Sequence, residues 1–310
     1  MIEYIEVTNE SGSSLRLPLS DYTETGILIT NIDGIGTVKA SINMSNYFDS
    51  DTKKYNSGQL DTRNIVFTFY LVATDTESVE DVRDKLYTFF TPKKKVTLVF
   101  KTDLRHASID GIVENNEPTI FSEQEEVQVS ILCEDPLFYD KSGADVDVKE
   151  YELNATESLF EFPFENNSLT EKLIELGNIR HRPINAINYI GEYDTGLTIN
   201  IHCTGIVMDP VIYSNRQRGT FKLVTSKLSE IIEGSTRFEK GDTIMINTIN
   251  GSKTIVLLRD GNLYNILHLL ESGSTWPMLL TGENEFIADA ASGYMFIKIS
   301  YSYKLGYLGI

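Results

Sequence analysis

The sequence predicts a mainly β chain of two domains: an N-terminal β-sandwich-like domain with one packed α-helix, then an antiparallel β-sandwich. Three observations carry this. At 310 residues the chain is longer than one hydrophobic core usually serves, so two cores are the default. Its 31 Tyr and Phe against a single Trp, alongside many Thr, Ile and Val, favour strands over helices. Alternation of apolar and polar residues recurs along the chain, whereas helical spacing stands out in one stretch.

Taken in order, Tyr4 to Thr8, Leu15 to Leu19, residues 26–36 and Thr37 to Met44 read as strands or short extended runs. Ser45 to Gln59 is polar, with too few apolar residues to pack, and reads as a long loop. Arg63 to Val72 is a strand with Ile65, Phe67, Phe69 and Leu71 on one face and Val66, Thr68, Tyr70 and Val72 on the other. Both faces are largely apolar, so both are expected to be covered. From Glu77 to Phe90, Val79, Val82 and Leu86 recur at three and four residues, which predicts a helix capped by Thr76 or Ser78 and stopped at Thr91-Pro92. Strands follow at Lys95 to Lys101, Ala107 to Asn115 and Val127 to Cys133.

The composition shift at residues 141–150 marks a linker, dividing the chain into domains 1–140 and 141–310. Leu159 to Phe164 and Leu169 to Ile179 read as strands. From Ile184 onward, short strands alternate with turn signals, notably 196–203, 207–213, 220–224, 242–247, 254–258 and 294–301. The Asn250-Gly251 pair predicts a tight hairpin with both residues at positive φ.

Five pieces occur in order over the first domain: Arg63-Asn-Ile, the helix ending Lys85-Leu-Tyr-Thr-Phe-Phe90, Thr91-Pro-Lys-Lys-Lys95, Ile109-Asp-Gly-Ile-Val-Glu114, and Val129 to Phe138. Together they resemble the N-terminal domain of phage distal tail proteins of the siphovirus type. The second half resembles the galectin-like C-terminal domain of that family, on Gly191 to Gly196, Met208 to Tyr213, Gly241 to Thr248, Gly282 to Phe286 and Tyr303 to Gly309. The resemblance implies a baseplate hub at the virion tail tip, made in the host cytoplasm. It also implies a homo-oligomeric ring, a hexamer in the family, joining the tail tube protein to the tail-associated lysin and docking receptor-binding proteins. The region 45–59, with the Arg63 strand after it, is implied to lie near the ring surface.

Charge fits that picture. The net charge of −18 argues against a nucleic-acid-binding surface, which needs Lys and Arg to neutralise phosphates. It is uneven, with 12 basic and 24 acidic side chains in residues 1–140 against 15 and 21 in 141–310. Ordinary solubility explains it, and so does a lumen through which DNA passes without sticking. No run approaches the roughly 20 apolar residues of a membrane span.

Chemical motifs are sparse, and the sequence points to no catalytic residue, cofactor or metal site. His106, His181, His202 and His268 are scattered, without ligand spacing. Glu123, Glu125 and Glu126 read as a solvated turn. Gly34-Ile-Gly36 lacks the third glycine and the helix of a phosphate cradle and reads as a turn. Asp145 and Asp147 lack the rest of a calcium cage. Sequons at Asn154, Asn166 and Asn250 carry no weight without an export signal. Cys133 and Cys203 fall in predicted strands of different domains and read as buried thiols. Lys93-Lys94-Lys95 either complements the helix dipole or contacts an acidic loop of a neighbouring subunit. Trp276 either packs over one end of the sandwich or offers a stacking platform, and on the second reading the C-terminal sandwich is a carbohydrate-binding module for cell-wall glycans.

Overall fold

The computed structural model describes residues 1–48, 51–119, 125–141, 147–152, 154–157, 178–181 and 184–310. The chain forms two compact units, residues 1–145 with 305–310, and residues 146–304.

The first unit contains β1 (Ile2–Asn9), β2 (Ser14–Pro18), β3 (Ile27–Asp33), β4 (Ala40–Asn46), β5 (Lys53–Leu60), β6 (Arg63–Leu71), α1 (Val79–Phe89), β7 (Lys95–Thr102), β8 (His106–Pro118), β9 (Glu126–Cys133) and β10 (Phe138–Asp140). The second contains β11 (Asp147–Glu152), β12 (Asn154–Glu157), β13 (Asn178–His181), β14 (Ile184–Tyr189), β15 (Thr198–Cys203), β16 (Met208–Ser214), β17 (Gly219–Lys222), β18 (Thr243–Asn247), β19 (Thr254–Arg259), β20 (Asn262–Asn265), β21 (Gly282–Ser292) and β22 (Ile297–Tyr303). A last short strand, β23 (Gly306–Tyr307), returns to the first unit.

In the first unit an antiparallel sheet runs β2-β1-β7-β8-β9-β6-β3, with β10 added to β8 and β23 to β10. In a flat sheet β6 and β7, three strand spacings apart, would be separated by roughly 14 Å. Yet the rings of Phe67 and Phe100 stack with centroids 6.4 Å apart, so the sheet curls around its own core. That core holds Phe67, Phe69, Phe90, Phe100 and Phe138 together with Val82 and Leu86 of α1. Ser78 caps α1 in a capping box with Asp81, whose carboxylate accepts from the Ser78 backbone N–H at 2.9 Å.

One face of β6 is buried as its alternation predicts, but Val66, Thr68 and Tyr70 on the other are only partly covered. The reason lies in the adjacent strands, which present polar groups there: Ser130 donates toward Asn64 at 2.9 Å and toward Glu114 at 2.8 Å. The expected loop at 45–59 is instead most of a hairpin, since β4 and β5 pair with each other from Ala40↔Leu60 to Asn46↔Lys53 as a separate two-stranded sheet.

In the second unit a six-stranded sheet, β11-β22-β15-β18-β19-β20, and a four-stranded sheet, β14-β21-β16-β17, form an antiparallel sandwich. Their inner faces meet where Phe286 stacks on Tyr301 at 5.4 Å and where Asn185 donates to the Tyr301 hydroxyl at 3.0 Å. Of the expected linker, residues 147–150 belong to β11, which pairs with β22. The strands expected at 159–164 and from 169 lie outside the described residues, apart from 178–181 in β13. The Asn250-Gly251 turn differs from expectation as well: only Gly251 takes positive φ, and six residues separate the last paired positions, Asn247 and Thr254.

Candidate assembly surfaces

Three features of the first unit stand out: an exposed arm, two blunted sheet edges and a buried arginine node. The first is the β4–β5 arm. Every described residue from 40 to 59 is exposed. Because the side-chain period of a strand is two, Ile42 and Met44 share a face, and Tyr55, directly opposite Met44, shares it with them. Ser41, Asn43, Ser45, Lys54, Ser57 and Gln59 occupy the other face. Tyr47 and Phe48 lie at the tip, Phe48 fully exposed at 102%. The arm is therefore amphipathic, and its apolar stripe faces water. An isolated two-stranded hairpin is marginal in water, so such a stripe gains stability when a partner covers it.

The second feature is the pair of sheet edges. β2 and β3 end the ordered path of the main sheet. β2 carries Pro18, and β3 carries a bulge between Ile29 and Asn31, where Thr30 turns its hydroxyl to the Thr68 carbonyl at 3.0 Å. Proline and bulges discourage strand addition at these two edges.

The third is a buried node at Arg63, 2% exposed. Its guanidinium donates to four main-chain carbonyls: Pro136 at 2.8 Å, Gly36 at 2.6 Å, Leu308 at 2.7 Å, and Gly34. It also lies over the Phe138 ring, 4.5 Å from the centroid. Burial pulls its pKa below the usual guanidinium range, opposed by the nearby Cys133 sulfur. Gly34, at φ 83°, supplies one acceptor, and a Cβ there would sit 2.0 Å from the Asn64 carbonyl oxygen. This explains the glycine of the Gly34-Ile-Gly36 turn. Arg63, implied by the resemblance to lie near a ring surface, is spent inside its own chain.

The other singled-out residues are dispersed. His202 bonds the Thr243 hydroxyl at 3.1 Å and His268 the Lys227 carbonyl at 3.4 Å, both in the second unit, whereas His106 starts β8 of the first. The His181 side chain, Glu123, Asp145 and Asn166 lie outside the described residues. Among the described residues no group of three or more His, Cys, Asp or Glu could hold a metal ion. Glu125 is not a solvated turn residue: it pairs with Arg83 of α1 at 2.8 Å, with both side chains mostly buried. Lys94 is committed to Glu10 at 2.7 Å, on the surface where such pairs contribute little. Both cysteines are free and buried, and burial pushes both thiols up to about 12. Trp276 packs its ring on Phe221 at 5.2 Å, with the Lys253 ammonium 5.5 Å from its centroid.

Comparison with known proteins decides the first unit. Residues 18–133 match the model of the phage tail protein RIFT-related domain. Over this stretch the chain is similar to a phage tail domain. The match spans the tail domain's strands from the end of β2 to the end of β9, arm and helix included. At the level of the whole chain, the SPP1 Dit (gp 19.1) protein, described as a paradigm of the hub adsorption apparatus in phages infecting Gram-positive hosts, superposes with a TM-score of 0.60 at 13% identity, over 97% of this chain and 98% of that one. The chain thus has the fold of a siphovirus distal tail protein, with its phage tail domain followed by a sandwich. Chains of the phage p2 baseplate in its activated conformation also match, at 11% identity and a TM-score of 0.44, covering 97% of this chain. No curated protein matches the sequence well enough to count as a relative.

Proposed function

We propose that this chain is a structural, non-catalytic hub of a phage tail tip. Copies of the phage tail domain close into a ring, six in number if the family pattern holds, between the tail tube and the tail-associated lysin. The observation that carries this reading is the arm, a hairpin standing off the core with Ile42, Met44 and Tyr55 on one exposed face and Phe48 at its tip. A heterologous contact, in which each subunit extends an arm and accepts one, closes whenever its rotation divides the circle evenly. The half-covered outer face of β6 gives a neighbour somewhere to rest.

The sandwich then serves as the docking platform for receptor-binding proteins, and its galectin-like character is part of this proposal. The acidic balance of −18 suits a lumen through which DNA moves freely. Trp276 supports this reading over the sugar-binding one, because its ring is already stacked on Phe221.

Sedimentation of the purified chain over a wide concentration range, with electron microscopy of the heaviest species, tests the proposal. Closed rings are expected. A chain that stays monomeric throughout, also when mixed with its tail-tip partner, overturns it.

A further inference from the structure

We propose that the phage tail domain contains a peptide-binding cradle whose ligand is the chain's own segment 305–310. The second unit is inserted between residue 145 and residue 305, and the chain re-enters the first unit beside the point where it left. The Asp140 N–H donates to the Leu305 carbonyl at 3.1 Å, and β23 pairs with β10 through Tyr139↔Gly306 and Phe138↔Tyr307. From there the segment is read mainly through its backbone. Arg63 donates to the Leu308 carbonyl at 2.7 Å, Arg105 to the Gly309 carbonyl at 2.6 Å, and the Ile310 N–H donates to the Ile35 carbonyl at 3.2 Å.

Side chains add selectivity. Tyr307 and Ile310 pack against the hydrophobic core, and the Arg105 guanidinium lies 4.5 Å from the centroid of the Tyr307 ring. A Cβ at Gly309 would meet the Ile35 carbonyl oxygen at 3.2 Å and the Gly36 carbonyl carbon at 3.3 Å, so a larger residue has to push the 35–36 turn back by a few tenths of an ångström. Strand addition to an edge, pockets for alternate side chains and donors aimed at peptide carbonyls are the elements of a site for an extended peptide. Here the ligand class is a short segment with an aromatic residue, then a glycine two residues on, then an aliphatic one. The arginine that anchors it also holds the 34–36 turn, so occupancy of the cradle and order of that turn are coupled.

The experiment uses the folded full chain with a specific protease site placed between Lys304, which is exposed, and Leu305. Cutting after folding separates binding from any failure to fold. The released peptide is expected to co-elute with the protein on gel filtration and to be displaced by excess synthetic Leu-Gly-Tyr-Leu-Gly-Ile. The Gly309→Val peptide is expected to bind at least tenfold more weakly, and Arg63→Lys in the protein to weaken retention comparably. Loss of the peptide from the column at micromolar protein, or equal binding of the Gly309→Val peptide, overturns the proposal. Neither outcome bears on ring formation, which sedimentation reads separately.

Discussion

The arm and the strand that follows it are neighbours in sequence and opposites in physics. Residues 40–46 and 53–60 pair with each other and leave every described side chain from 40 to 59 exposed. Residues 63–71 alternate between burial and partial exposure, as a strand across a core must. Both are β structure, so backbone pairing alone does not separate them. What separates them is where the side chains go: Phe67 and Phe69 stack on each other at 5.4 Å inside the domain, whereas Ile42, Met44 and Tyr55 face solvent. The strand holds the fold, and the arm, on the function proposed above, holds a neighbouring copy.

The sharpest way to break that comparison is to attack the strand at Arg63. Arg63→Met keeps the bulk and leaves four carbonyls without their donor, two of them in the 34–36 turn. Leaving buried acceptors unsatisfied is expected to cost about 4 kcal/mol. The measurement is the denaturant midpoint of the first unit's transition. A loss under about 1 kcal/mol would show the node to be solvated. Gly34→Ala attacks the same node from the turn, combining positive φ with a clash against the Asn64 carbonyl, and is expected to cost about 3 kcal/mol.

How much of this could be read from the sequence differs between the two regions for the same reason. Alternating Ile65, Phe67, Phe69 and Leu71 announce a half-buried strand, and Val79, Val82 and Leu86 announce a helix, because burial against a core leaves a periodic trace. The arm leaves it on its first strand alone, where Ile42 and Met44 alternate with Ser41, Asn43 and Ser45 and Thr37 to Met44 reads as extended. The polar run from 53 to 60 carries no apolar period, so 45–59 reads as a loop although Ser45 and Asn46 pair with Lys54 and Lys53 and the rest of β5 pairs back to Ala40. The Arg63 node was hidden differently: its acceptors are main-chain carbonyls at residues 34, 36, 136 and 308, which carry no side-chain signature. The return of 305–310 was illegible likewise, since a two-residue strand that closes a distant edge has no local pattern. Trp276 and the histidines were legible as residues, but their surroundings were not.

A milder probe compares the two interiors through their thiols. Burial pushes Cys133 and Cys203 up to about 12 from an ordinary value near 9. An unfolded chain releases these protons first, so the thiols' contribution to stability is complete below pH 9 and is lost as pH climbs from 9 toward 12. Unfolding midpoints are expected to fall over that interval. In the Cys133→Ala, Cys203→Ala double variant the dependence should be shallower. An unchanged slope would mean that other groups set it.

The smallest effect on stability is expected at the arm itself. Ile42→Ser and Tyr55→Ser remove apolar groups that water already touches, at 56% and 61% exposure, so the unfolding midpoint should move by no more than about 0.5 kcal/mol. The same changes delete the stripe a neighbour would cover, and sedimentation should shift from ring to monomer at concentrations where the parent chain is assembled. Each residue's apolar surface is of the size whose burial is worth roughly 1.5–3 kcal/mol, and a closed ring repeats that loss at every interface. A variant that unfolds like the parent but no longer assembles separates holding the fold from holding the partner. If it lost stability instead, the arm would have been resting on its own domain, and the contrast between the two adjoining stretches would collapse.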